Sequence, residues 1–264
     1  MSNYNYSSLT NKRILITGSN GGIGTAVVNA FLEHGAQVFL TFSSYARYEE
    51  YKTNLDQLAN TDTKHPHQNR SEQISGYFIG DIAIAKNANN CVSQAAASMN
   101  DGIDIFIHAA GCTQDSLLIN MTTEQWDKVM QINLNSAFHF SKAIIPIMIK
   151  QKFGRIIFIT SVVSRMSNIG QANYISSKSA LTGLSRSLAL EYAAFNITSN
   201  CIEPGFIDTD MTRNMPDKQR AKLLAQIPLQ HIGTPEDIAK ASLFLADSNY
   251  ITGASLAVNG GIYF

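Results

Sequence analysis

Charge is scarce in this chain, and what there is cancels. Only 15% of its 264 residues are charged, with 20 Lys plus Arg against 20 Asp plus Glu. No basic excess calls for nucleic acid, and no basic run calls for an anionic membrane surface. A surface this poor in charge is expected to be partly covered in an oligomer. Cysteine is scarce too. Cys91, Cys112 and Cys201 are odd in number and none stands in a C-x-x-C pair, which argues against a disulfide or zinc framework and suits a reducing compartment. No apolar run approaches the ~18 residues of a membrane span. The opening MSNYNYSSLTNKR has no apolar centre before its first charges, so a secretory signal is not expected, and a cytoplasmic location is.

Repeats and domain linkers are also missing, so residues 1–264 are expected to form a single domain. The one biased segment, NTDTKHPHQNRSEQ (60–73), reads as an exposed polar loop. His65 and His67 flank a proline there without a supporting carboxylate or cysteine, so they read as solvated and no metal site is expected.

Short apolar runs alternate with longer helical patterns. The runs are RILIT (13–17), QVFLT (37–41), GYFIG (76–80), IDIFIHAAG (103–111), RIIFITS (155–161), ITSNCIEPG (197–205) and SLAVNGG (255–261). Helical patterns lie between them, among them 22–34, 123–150 and 171–195. Alternation of this kind implies parallel strands joined by right-handed crossovers. Strands so continuously apolar suit a sheet covered on both faces. The expected fold is α/β, a doubly wound, seven-stranded parallel sheet with helices on both sides.

Two motifs carry chemistry. TGSNGGIG (17–24) follows the first strand and opens the first helix. Glycines there permit a tight turn and close backbone approach, and the free N–H groups of a helix start favour a phosphate. The alternative is a tight turn that serves packing alone. The second motif is YISSK (174–178), which places a phenol and an amine one helical turn apart on one face; alone, such a pair is as easily a solvated surface feature.

The glycine spacing Gly18, Gly22, Gly24 resembles the T-G-x-x-x-G-I-G loop of the short-chain dehydrogenase/reductase family. The resemblance extends from about Lys12 to the end. It includes Asn133 in QINLNSAF, Ser161 in ITSVVS, and Tyr174 and Lys178. GQANYISSKSAL, PGFIDTDMT, TPEDIA and YITGASLAVNGG resemble the 3-oxoacyl-ACP reductase branch. It implies a Rossmann-type fold and a catalytic set of Asn133, Ser161, Tyr174 and Lys178. Ser161 is chosen over Thr160 and Ser164 by its spacing to Tyr174. Hydride transfer to a ketone builds negative charge on oxygen, which a serine hydroxyl can stabilise and a phenol can protonate. Free tyrosine titrates near ~10, so the Lys178 ammonium is expected to lower the phenol's pKa. By resemblance Lys178 also holds the nicotinamide ribose, and Asn133 binds a water that links the lysine to solvent.

The same resemblance assigns cofactor contacts to Gly18, Ser19, Asn20, Gly22, Ile23, Gly24, Thr41, Ser43, Asp81, Ile82, Ala110, Gly111, Tyr174, Lys178, Pro204, Gly205, Ile207 and Thr209. The second strand ends in LTFSSYAR (40–47), which has no carboxylate to bind a ribose diol and repel a 2′-phosphate. Its hydroxyls and the nearby Arg47 favour NADPH, although Asn20 stands where many relatives carry a basic residue, and Arg47 reads equally as a plain surface residue. Asp81 contacts adenine or caps the next helix; Gln171 lines the substrate pocket or serves the helix start.

The chain departs from the family in two places. HAAG (108–111) replaces the usual N-N-A-G. Ala109 cannot brace the strands, whereas His108 keeps two ring nitrogens, for a hydrogen bond at the strand end or for catalysis. Cys112 reads as packing or pocket wall. At the carrier-docking positions Lys152 is basic but Phe195 stands for an arginine; Lys150, Lys152 and Arg155 are read as a modest basic patch or a solvated helix end. The expected reaction is NADPH-dependent reduction of a 3-oxoacyl thioester, on acyl carrier protein first, with acetoacetyl-CoA or general carbonyl reduction as the alternative and a non-catalytic dinucleotide-binding scaffold as the remaining one. Segment 206–230 is expected to form a substrate lid, and paired long helices a homotetramer.

Overall fold

The computed structural model describes residues 6–61, 70–209, 212 and 217–263. Seven strands form one all-parallel sheet: β1 Arg13–Thr17, β2 Gln37–Phe42, β3 Ile74–Ile79, β4 Ile105–His108, β5 Gly154–Ile159, β6 Ile197–Pro204 and β7 Ser255–Val258. Their order is β3-β2-β1-β4-β5-β6-β7. The expected doubly wound, Rossmann-type α/β sheet is what forms.

Alternating side chains divide the interior in two. Ile14 and Ile16 of β1 face a cluster with Phe31, Leu32 and Ile238, supplied by α1 (Gly22–Glu33) and α10 (Pro235–Asp247). Leu15 faces the other side, with Phe106, Phe140, Phe158 and Leu181. That side is covered by α4 (Ala85–Ser98), α6 (Ser136–Gln151) and α8 (Ala172–Tyr192). Each such fully buried side chain contributes about 1.5–3 kcal/mol of transfer free energy, which is why the strands need no polar alternation.

Chain order reverses between β1 and β4, where Thr17 is the register partner of His108. A reversal of this kind opens a crevice beyond the carboxyl ends of the two strands. The glycine loop after β1 and the HAAG turn after β4 both empty into it.

Some boundaries differ from expectation. β3 begins at Ile74 rather than 76. The polar segment 60–73 is helical at both ends, because α2 (Tyr45–Thr61) runs into it and α3 (Arg70–Gln73) leads out; His65 and His67 lie outside the described residues. The pattern at 123–150 is interrupted. After α5 (Thr123–Met130) a π turn spans Gln131–Asn135 before α6 resumes the α ladder. Such wide turns re-aim one side chain, here Asn133. Segment 206–230, expected to form a lid, contains α9 (Asp217–Leu224) among its described residues. Among the described residues no helix is long and apolar enough to cross a membrane.

The basic patch does not form. Arg155 is buried, at 1% exposure. Its Nη1 donates to the carbonyls of Gly154 (2.7 Å) and Asn196 (3.0 Å), and its Nη2 to Asn249 Oδ1 (2.7 Å). Its guanidinium also lies 4.3 Å from the centre of the Phe153 ring. Arg155 therefore staples the start of β5 to the segments around β6. It stands, with Lys152 and Phe195, at the amino-terminal edge of the sheet. At ~3.3 Å per residue that edge is about 20 Å from the carboxyl ends within one chain.

Arg155→Met should remove the guanidinium's hydrogen bonds to the Gly154 and Asn196 carbonyls and to Asn249 Oδ1, each bond to a charged group being worth about 1.5–3 kcal/mol. Thermal denaturation should show a fall of several degrees; an unchanged midpoint would mean that the staple carries no stability.

Candidate active site

The glycine loop is shaped by contacts that allow no side chain. Gly18 has φ +71°, and a Cβ on it would lie 2.7 Å from Ala110 Cα. A Cβ on Gly24 would lie 2.0 Å from the Gly18 carbonyl oxygen. The loop is therefore pressed onto the turn after β4 and onto its own helix. Gly21, the residue before α1, offers no side-chain cap, so the first-turn N–H groups, which lack intrahelical partners, stay available to an anion. Ser19 turns inward. Its hydroxyl donates to the Ile16 carbonyl (2.9 Å) and accepts from Thr41 N–H (3.0 Å). Thr41 is buried as well, and its hydroxyl accepts from Gly18 N–H (3.2 Å). Both hold the loop on β2 from beneath. Asn20 and Ile23 are half-buried, and Gly22 is exposed beside Thr209.

Of the residues after β2, Ser43 is exposed and Arg47 pairs with Glu50 at 3.0 Å, both ends more than half exposed. Asp81 accepts from Ala83 N–H (2.9 Å). It makes a turn ahead of α4 rather than capping it, since the cap position is Ile84. Ile82 is half-buried. Across the crevice, Val162 N–H donates to Pro204 O (2.9 Å) and Gly205 N–H to Val258 O (2.9 Å). Ile207 is buried and bridges Gly233, and Thr209 N–H donates to Thr212 Oγ1 (3.0 Å).

The π turn carries Asn133 to the floor of the site. Its Oδ1 accepts from Cys112 N–H (2.8 Å), and its Nδ2 donates to Cys112 O (3.1 Å) and Ser177 Oγ (3.0 Å). Ser177 in turn donates to the Tyr174 carbonyl (2.8 Å). Asn133 thereby ties the segment after β4 to the turn of α8 that bears the phenol and the amine. Ser177 has no distinctive signal in sequence; only the fold reveals its part. Cys112 is half-buried, and burial raises its thiol pKa against the pull of Lys128 and Lys178.

Ser161, just past β5, has its hydroxyl near enough to the Tyr174 phenol to pull the phenol's pKa down, and its Oγ accepts from Val163 N–H (3.3 Å). Its rivals are engaged elsewhere: Thr160 donates to Ile202 O (2.8 Å) and Ser164 to Ser161 O (2.6 Å). Lys178 is buried; its Nζ donates to the Ile159 carbonyl (2.8 Å) and lies 5.8 Å from the centre of the Tyr174 ring. Gly111 lies against it, since a Cβ there would stand 3.2 Å from Nζ. Gln171 Nε2 donates to Asp115 Oδ2 (2.8 Å), lacing two loops at the mouth.

The electrostatics differ from the expected tuning. Burial pushes the Tyr174 phenol up to about 12; the nearby Ser161 hydroxyl opposes this and Asp115 adds to it. Burial pushes Lys178 down to about 8. Desolvation disfavours the charged form of each group, and the ammonium is directed at a carbonyl. In this state the lysine does not make the phenol acidic. Among the described residues no group of three His, Cys, Asp or Glu could hold a metal.

Residues 18–263 match the family described as enoyl-(acyl carrier protein) reductase. The chain belongs to the short-chain dehydrogenase/reductase family. It is 39% identical over 258 residues to the 3-oxoacyl-(acyl-carrier-protein) reductase FabG of Salmonella typhimurium, covering 97% of this chain and 99% of that one. To the FabG proteins of Haemophilus influenzae and Escherichia coli it is 41% identical over 259 residues and 38% over 261, covering 96% of this chain and 98% and 97% of theirs. For a short-chain reductase, the glycine cradle and uncapped helix start fit a dinucleotide, because both are spaces that a Cβ or a capping side chain would fill.

The Lys178 shift has a testable sign. Its folded pKa of about 8 lies below the ordinary lysine value of 10.5, so between those pH values the unfolded chain holds more protons and folding gains stability as pH rises. The stability of wild type relative to Lys178→Met, measured by denaturant titration, should increase from pH 7 to pH 10. A flat difference would contradict a charged, desolvated lysine.

Proposed function

We propose that the chain reduces 3-oxoacyl thioesters carried on acyl carrier protein to 3-hydroxyacyl thioesters, using NADPH. The observation that carries this reading is the meeting of Ser161, Tyr174, Lys178 and Asn133 beside the glycine loop, in a chain similar to three 3-oxoacyl-(acyl-carrier-protein) reductases. NADPH, when bound, supplies the hydride. Gly18, Gly22, Gly24 and the start of α1 would hold its pyrophosphate, and Lys178 with Gly111 the nicotinamide side. The remaining cofactor assignments made from the resemblance are part of the same reading, with Ser19 and Thr41 acting from beneath the loop.

Ser161 orients the substrate carbonyl, and Tyr174 gives its phenolic proton to the oxygen as the carbon receives hydride. A phenol kept neutral by burial is a loaded acid, protonated at every working pH. Lys178 supplies the positive field that stabilises the phenolate left behind. The missing carboxylate after β2 supports NADPH, as do exposed Ser43 and Arg47, whose solvent-exposed pair with Glu50 is weak enough to exchange.

The whole chain acts as one domain. The lid reading of segment 206–230 is supported, among its described residues, by a groove lined by Leu224, Ala225, Ile227, Pro228 and Gln230. Exposed Phe138 on α6 and Leu190 on α8 support pairing of the long helices into a homotetramer, and the cysteine usage supports a cytoplasmic location. A CoA thioester is the second reading. One observation favours it: Lys152 and Phe195 stand at the far edge of the sheet, so neither offers a carrier a basic contact at the mouth of its own chain.

NADPH oxidation with acetoacetyl-ACP and acetoacetyl-CoA tests the reading. Wild type should turn over the ACP ester faster, and Tyr174→Phe should lose about 10²–10⁴-fold in kcat, the usual share of a general acid, while its Kd for NADPH stays unchanged. Turnover of the CoA ester alone rejects the carrier, equal kcat/KM with NADH rejects the cofactor, and an inert wild type returns the scaffold reading. In sedimentation the protein should run as a tetramer at micromolar concentration; a stable monomer rejects the assembly.

A further inference from the structure

His108 is the last residue of β4 and is fully buried. Both ring nitrogens have partners. Nδ1 lies 2.8 Å from Thr17 Oγ1 and Nε2 lies 3.3 Å from Ser136 Oγ. Ser136 donates its only hydroxyl hydrogen to the Ile132 carbonyl at 2.6 Å. Its oxygen can then only accept, so Nε2 carries the ring proton and Nδ1 accepts from Thr17. The ring is neutral: burial, reinforced by Lys178, pushes its pKa down to about 3.

The two partners stand at the two halves of the site. Thr17 immediately precedes Gly18, and its carbonyl accepts from Ala109 N–H at 3.2 Å. Ser136 closes the π turn that carries Asn133, its own N–H reaching back to the Gln131 carbonyl.

We propose that His108 is a positioning residue that couples the glycine loop to the Asn133 turn, its Nδ1 holding the loop for cofactor and its Nε2 holding the turn for catalysis. The imidazole spans the two in one rigid plane and packs in a triangle with Phe106 and Phe158, whose ring centres lie 6.1 and 6.4 Å from its own and 6.5 Å from each other. Within the HAAG turn it does what Ala109 cannot. Only the rate half of this inference rests on the reductase reading; the cofactor half needs no turnover.

The two nitrogens can be separated by substitution. An asparagine amide reaches about as far as Nδ1, and a glutamine amide about as far as Nε2. His108→Asn should keep the NADPH Kd within about twofold and lose about tenfold in kcat with the acetoacetyl thioester. His108→Gln should do the reverse, and His108→Phe, which suits the flanking aromatic rings, should lose both. Tenfold is the scale of one buried hydrogen bond. Calorimetric titration with NADPH reads the first quantity, and kcat at saturating NADPH the second. Ser136→Ala should reproduce the kcat loss and Thr17→Val the Kd loss, and these two decide the matter if the His108 variants do not fold. Asn and Gln variants that lose both quantities in parallel, or lose neither, would overturn the coupling. If the wild type binds NADPH but turns nothing over, the Kd pattern alone decides the loop half, and the reductase reading is what has failed.

Discussion

Parallel pairing of β1 with β4, which sets Thr17 beside His108, is the constraint on which the rest of this molecule depends. It places two loop-forming ends side by side at the reversal of strand order. Gly18 can press against Ala110 only because both strands end at the same height. The apolar strands make that height secure, since a slip would carry Ile14 and Ile16 out of one core and Leu15 out of the other.

Burial sets the chemistry of the crevice more than charge pairing does. Lys178, Tyr174 and His108 are all displaced toward their neutral forms by loss of water. A lone cation in that setting is costly, and here its ammonium is directed at a backbone carbonyl. In the proposed reduction the arrangement serves as a neutral acid, a hydroxyl that orients, and a cation whose field is in place before any ligand arrives. Preorganisation of this kind avoids reorganising dipoles during reaction.

Polar side chains that look ordinary in isolation carry the architecture around these groups. Asn133 joins Cys112 to Ser177, and Ser19 and Thr41 lace the loop to β2. At the opposite edge, Arg155 uses a buried guanidinium to join β5 to its neighbours. Each is fully or nearly fully satisfied, which is the condition for keeping a polar group inside at all.

Much of this was legible in the residues. Apolar periodicity and the alternation of strands with helices determined the parallel sheet, because they depend on local pattern alone. The spacing of Gly18, Gly22 and Gly24, and of Tyr174 and Lys178, pointed to the site, because loop geometry and helical pitch are local as well. What only tertiary structure decided was orientation and solvent access. It placed Arg155 inside rather than in a basic patch, turned Ser19 and Thr41 away from the crevice, broke one long helix at Asn133, and directed Lys178 at the Ile159 carbonyl. Each depends on which partners the fold brings within hydrogen-bond reach and on how much water it removes, and neither quantity is a property of any short stretch of chain.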